Sequence, residues 1–216
     1  MKNWKDILHF FYGWGFWYSD PLTLIEDIDD KDLFWVPDSN SLCILWHVGH
    51  IAHRERSHIG LFIQGLGTEI IPQKYEIFGT EWVSVKQLKG SINSIADVLS
   101  WVREVRKESH NFIDTLHEKQ LNFVPMNSPY GETISQWLLI TVAHTALHIG
   151  KIQQLKAMLK DVKMPHARAS TKEWLAGLEK ENKDIFKMFR ASFKHIHDDT
   201  FLDPERWNRD DIKEGL

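Results

Sequence analysis

Twelve histidines stand in this 216-residue sequence. Two of them, His144 and His148, lie four residues apart in the segment WLLITVAHTALHIGKIQQLKAML. On a helix that spacing stacks two imidazoles on successive turns, the geometry by which one helix supplies two ligands to one metal ion. At about 100° per residue, Trp137, Thr141, His144, His148, Ile152, Leu155 and Leu159 share one narrow face, with His148 near its centre. Both histidines are thereby aimed into a core, where each imidazole needs a polar partner. A shared metal ion is one such partner, and an ordinary core hydrogen bond is the other. The segment is not a zincin motif, which requires glutamate directly after the first histidine; Thr145 stands there.

A second histidine-rich run, LWHVGHIAHRERSHIG, holds His47, His50, His53 and His58. Its apolar stripe on the same wheel is Ile44, Val48, Ile51, Ala52, Ile59 and Phe62. Glu55 falls inside that stripe, where a carboxylate is costly unless it is paired or hydrogen-bonded. It can accept from the outer N–H of a ligating imidazole or serve as a plain structural acceptor. His50 sits off the stripe, His47 and His58 at its edge, and His53 on the far side. Periodicity alone favours His47 over His50 as the inward residue.

The elements that must hold these residues are helical. Trp4, Ile7, Leu8, Phe11 and Trp14 predict a first helix from about Asn3 to Tyr18, ended by Asp20-Pro21. A second runs from Ser39 or Asn40 to Gln64, with Asp38, Ser39 and Asn40 as capping candidates and Gly65 at its end. Residues 66–90 read as a long connection with short local structure. A third helix spans Ser91 to Leu116 and a fourth Thr133 to Lys160. A fifth, Thr171 to His197, follows the break at Pro165. No strand pattern, repeat or low-complexity tract is present. The fold class is all-α: a four-helix bundle with one long crossover over residues 1–162, and a helical extension over 163–216 packed on it. The His195/His197 pair reads as a solvated helix end, and Cys43 as a small buried hydrophobe.

The two histidine segments together resemble a known family. Trp46-His47-Val48-Gly49-His50-Ile51-Ala52-His53-Arg54-Glu55 is similar to the second-helix signature of the DinB/YfiT-like superfamily, in which such a segment supplies the first metal histidine. Pro129-Tyr130-Gly131-Glu132-Thr133-Ile134, followed by His144, His148-Ile149-Gly150-Lys151-Ile152, resembles that family's loop and last bundle helix. The resemblance covers about Trp4 to Lys160. It implies a metal site of His50, His144 and His148, against the preference of the wheel for His47. Ile149 departs from the pattern, since arginine is frequent there in relatives.

Three neutral imidazoles leave a divalent ion with its charge intact and a position open, which is the catalytic rather than the structural arrangement. Imidazole suits zinc, nickel and iron alike, so the ligands do not choose the metal. The resemblance implies thiol-dependent transfer or isomerisation as one role, with a low-molecular-weight thiol as partner, and metal-site helper domains as another. The leading expectation is a metal-dependent enzyme that activates a thiol or water, with Glu55 or His53 assisting a proton transfer. The second is a non-catalytic metal-binding stress or interaction protein. A polar pocket above the metal favours the first, and a site sealed by Trp46 and Trp137 the second.

Bulk properties bound these readings. A net charge of −4 with no basic stripe argues against nucleic acid as partner. No apolar run approaches a membrane span, and the N-terminus is a poor signal peptide. The single cysteine excludes an intrachain disulfide framework and points to the cytoplasm. Ten tryptophans are many for this length. Trp14, Trp17, Trp46 and Trp101 are more than one small core is expected to absorb, which suggests a homodimer, as relatives commonly form.

Overall fold

The structure is a computed structural model that describes residues 4–13 and 20–160. The chain divides into two units, Lys2–Val162 and a second made of Met1 with Lys163–Leu216. The expected fifth helix, His195, His197, Trp14 and Trp17 lie outside the described residues.

Among the described residues every regular element is helical, as the 3.6-residue periodicity requires. The α-helices are α1 (Trp4–Phe11), α2 (Pro21–Ile25), α3 (Ile44–Arg56), α4 (Val85–Ser91), α5 (Ile95–Thr115) and α6 (Ile134–Leu159). Helix α3 packs against both α5 and α6, and α1 packs on α5. The crossover from α3 to α5 carries short 3-10 turns at Thr68–Ile70 and Gln73–Gly79, and then α4.

Capping chemistry decides the boundaries. At α6, Thr133 accepts from Gln136 N while the Gln136 side chain reaches back to Thr133 N, a reciprocal box, so this helix starts where the sequence places it. The expected third helix begins a few residues later, at Ile95 rather than Ser91. Ser91 ends α4, and Ser94 opens α5 by accepting from Asp97 N. The second helix begins later than expected, at Ile44 rather than Ser39. The reason is that Asp38 caps a local turn, bonding Asn40 N at 2.8 Å and Ser41 Oγ at 3.1 Å. The first helix runs from Trp4 to Phe11 and Gly13 follows with φ 99°, a left-handed conformation common at helix ends, while the expected span beyond Gly13, up to Tyr18, lies outside the described residues.

After Arg56 the second helix continues as a π-helical turn, Ser57–Ile63, with Gln64 N bonded to Ile59 O at 2.9 Å. Gly65, at φ 70°, ends it as expected. The wider turn rotates each residue by less than an α-helix does, and the His58 side chain on it is buried.

Helix α3 is the centre of the Lys2–Val162 unit. From Ile44 to His53 every residue is buried, and so is Glu55. Helices α5 and α6 cover two of its sides, and the Gln73–Gly79 turn covers a third. That contact is tight: a Cβ on Gly49 would lie 2.4 Å from the Phe78 ring. Trp46 and Trp101 are both absorbed by this core, Trp101 stacking on Tyr75 at 4.2 Å. Neither therefore supports an exposed aromatic interface, contrary to the expectation from the tryptophan count.

Candidate metal centre

Helix α3 contributes His50 and α6 contributes His144 and His148. One ligand nitrogen from each lies within 4.8 Å of the other two. His50 and His148 are buried, and His144 is half-buried. The Nε2 atoms of His50 and His144 are 3.2 Å apart. Ligand nitrogens on a tetrahedral zinc, at Zn–N of about 2.0–2.1 Å, stand about 3.3 Å apart, so this pair already has the spacing of two such ligands. The His144 and His148 rings lie 4.5 Å apart, as one helical turn places them.

The hydrogen bonds fix which nitrogens are available. His50 Nδ1 is 2.5 Å from the Phe78 carbonyl oxygen. A carbonyl only accepts, so Nδ1–H donates and Nε2 keeps its lone pair facing His144. The Phe78 carbonyl was invisible to helical periodicity because it comes from the 3-10 turn, 28 residues along the chain. Trp46 stacks on the His50 ring at 4.3 Å and holds its plane.

Burial also keeps these imidazoles neutral. It pushes His148 down to about 2, reinforced by His50, His144 and His47. It pushes His50 down to about 3 and His144 to about 4, the latter with help from the Arg54 and Lys151 charges. A neutral imidazole is the form that ligates. The set therefore fits a divalent ion: three neutral nitrogen donors, converging, in a pocket that disfavours the competing proton.

The other histidines of α3 and of the π turn after it each have their own contact. His47 Nδ1 meets His148 Nδ1 at 2.9 Å. His58 Nδ1 meets Thr141 Oγ1 at 3.0 Å, and its ring lies 5.0 Å from Trp137. His53 Nε2 lies 3.4 Å from the exposed Glu76 carboxylate, and Gly79 packs so closely that a Cβ there would stand 2.6 Å from the His53 ring. Among the described residues the one convergent metal-capable group contains His50, not His47, because a helix enclosed on three sides has no single inward face.

Glu55 is fully buried and is paired with Arg106 on α5, Nε to Oε2 at 3.2 Å, without forming a hydrogen bond. Burial raises its pKa and the Arg106 charge opposes that. The structure thus turns Glu55 toward α5, whereas the three histidines meet between α3 and α6. A cavity of about 320 Å³ opens on the α5 side too, lined by Tyr12, Arg106, His110 and Asp114 among others, and by none of the three histidines.

A sequence model of the DinB superfamily matches residues 18–152. The chain belongs to the DinB superfamily. The matched stretch holds all three histidines of this DinB site, the Phe78 carbonyl, the whole of α3 and α6 as far as Ile152. No curated protein and no solved structure matches the chain. No helix among the described residues is long and apolar enough to cross a membrane.

Proposed function

We propose that this DinB-superfamily chain is a metal-dependent enzyme that activates a low-molecular-weight thiol or water, with thiol transfer ahead of hydrolysis. The observation that carries the proposal is the convergence of His50, His144 and His148 within 4.8 Å. A divalent ion there would supply the acidity that deprotonates a thiol or water near neutral pH. His50 and His148 hold the buried side of the site, and the half-buried His144 marks the side open to a small molecule. Arg54 and Lys151 place positive charge beside His144, which favours an anionic form of the bound reactant. For proton transfer His53 is better situated than Glu55. Its ring reaches the exposed Glu76, whereas Glu55 is enclosed with Arg106.

The second reading is a metal-binding protein without catalysis. Trp46, 2% exposed, favours it by covering one face of His50. A panel of small electrophiles offered with several low-molecular-weight thiols separates the readings. Metal-loaded wild type should turn over at least one pair, with a rate that rises with pH and levels near neutrality, and His144→Ala should not. Equal turnover in both proteins, or none with any thiol, would move the assignment to the second reading.

A further inference from the structure

The contact between His47 and His148 has a chemical consequence. Their Nδ1 atoms face each other at 2.9 Å in a buried setting. Two facing lone pairs repel, and so do two facing N–H groups, so one proton lies between them and one ring donates to the other. If His148 accepted there, its own proton would sit on Nε2 and neither nitrogen could ligate. If His148 donates, Nε2 carries the lone pair. Only the second arrangement is compatible with a ligating His148.

We infer that His47 is a positioning residue of the metal centre, whose Nδ1 accepts the Nδ1–H of His148 and so fixes the tautomer that offers Nε2 to the ion. The inference rests on the three-histidine reading above. Ligating histidines almost always donate their other N–H to a carboxylate, a carbonyl or water. Here a carbonyl serves His50 and a second imidazole serves His148. Both acceptors are uncharged, so neither adds negative charge to the ligands, and the ion keeps its acidity. Trp46 links the supporting His47 to the ligand His50. Its indole meets the His47 ring edge-on at 5.3 Å and stacks on His50 at 4.3 Å. The His47 ring is thereby held with Nδ1 facing His148.

The test uses the full chain and zinc alone as probe. In His47→Ala the zinc affinity should fall about 10- to 100-fold, the usual effect of removing such a support, while saturating zinc still loads one ion per chain. His47→Gln, whose amide oxygen can accept, should recover most of the loss. Long-range nitrogen–proton spectra of the zinc-loaded protein should show His148 with a slowly exchanging Nδ1–H in wild type and His47→Gln. That proton should exchange freely in His47→Ala. Should His47→Ala fail to fold, His47→Leu, which refills the space without an acceptor, replaces it. Unchanged affinity and an unchanged His148 proton in the acceptor-free variant would overturn the inference and leave the three-histidine site standing. Loss of stoichiometry as complete as in His148→Ala, with no recovery in His47→Gln, would overturn it by making His47 a ligand. Failure of the wild type to bind zinc would overturn the metal reading itself.

Discussion

His50 and His144 bring their Nε2 atoms to 3.2 Å across the contact of α3 with α6, although 94 residues separate them in the chain. Each helix is long and buried along the shared side, and the Phe78 carbonyl turns the His50 ring so that its lone pair points at α6. The site is therefore a property of one helix–helix contact and one turn laid over it.

Removing a histidine should remove the ion. Elemental analysis of protein purified without a histidine tag should find about one divalent metal per chain in wild type, the content expected of a single three-histidine site. The ratio should be well below that in His148→Ala and in His50→Ala. Normal loading of His50→Ala would show that the site is built differently.

Acid should unfold the metal-free protein early. The imidazoles of buried His47 and His58 and of half-buried His110 titrate at 6.5 when unperturbed and are held down to about 4, 3 and 4 in the fold, with desolvation the main cause. Above pH 6.5 both states are neutral and these groups do not affect stability. As pH falls below 6.5 the unfolded chain takes up protons that the fold refuses, costing about 1.4 kcal/mol per pH unit for each histidine until its folded pKa is reached. Three such groups, joined by the ligand histidines, rival a typical stability of about 5–15 kcal/mol. Circular dichroism should place the acid midpoint between about pH 4 and 6, and zinc should move it lower because it binds the folded state. A native signal persisting at pH 3 would contradict this.

Glu55 and Arg106 should matter for stability more than for metal. Glu55→Ala leaves the Arg106 guanidinium nine-tenths buried without its counter-charge, a loss of about 3–5 kcal/mol. Denaturant unfolding measures the loss, and zinc stoichiometry should be unchanged. A stable Glu55→Gln that binds zinc but has lost turnover would give Glu55 the proton-transfer role instead.

Gly49→Ala tests the turn that orients His50. Its new methyl would meet the Phe78 ring at 2.4 Å, and Phe78 is fully buried. Either α3 or the Gln73–Gly79 turn must move, at a cost of about 1–3 kcal/mol. The thermal midpoint should fall, and zinc affinity with it, because the Phe78 carbonyl moves away from His50.

Association should be visible by sedimentation. Leu139, Ile140 and Leu147 on α6 are 61%, 38% and 57% exposed, and exposed apolar residues that cluster commonly mark contacts, which is the ground for expecting a homodimer. Wild type should sediment as a dimer, and Leu147→Lys should shift it toward monomer. A wild type that is monomeric at every concentration would reject the dimer.

The sequence by itself determined the helical class, the α6 boundaries and the His144/His148 pair. Each of these is local: a capping box at Thr133, a stripe at 3.6-residue spacing, two imidazoles one turn apart. Local rules failed where the chain is enclosed from several sides. The wheel favoured His47 over His50, whereas the convergent group holds His50, because α3 is buried all round and both residues face a neighbour. The wheel set Glu55 in the core stripe without its partner, because Arg106 lies 51 positions further on. Only the tertiary structure brought Phe78 over His50 and His148 against His47. Ring orientation, tautomer and counter-charge depend on groups distant in the chain, and no spacing within one helix encodes them.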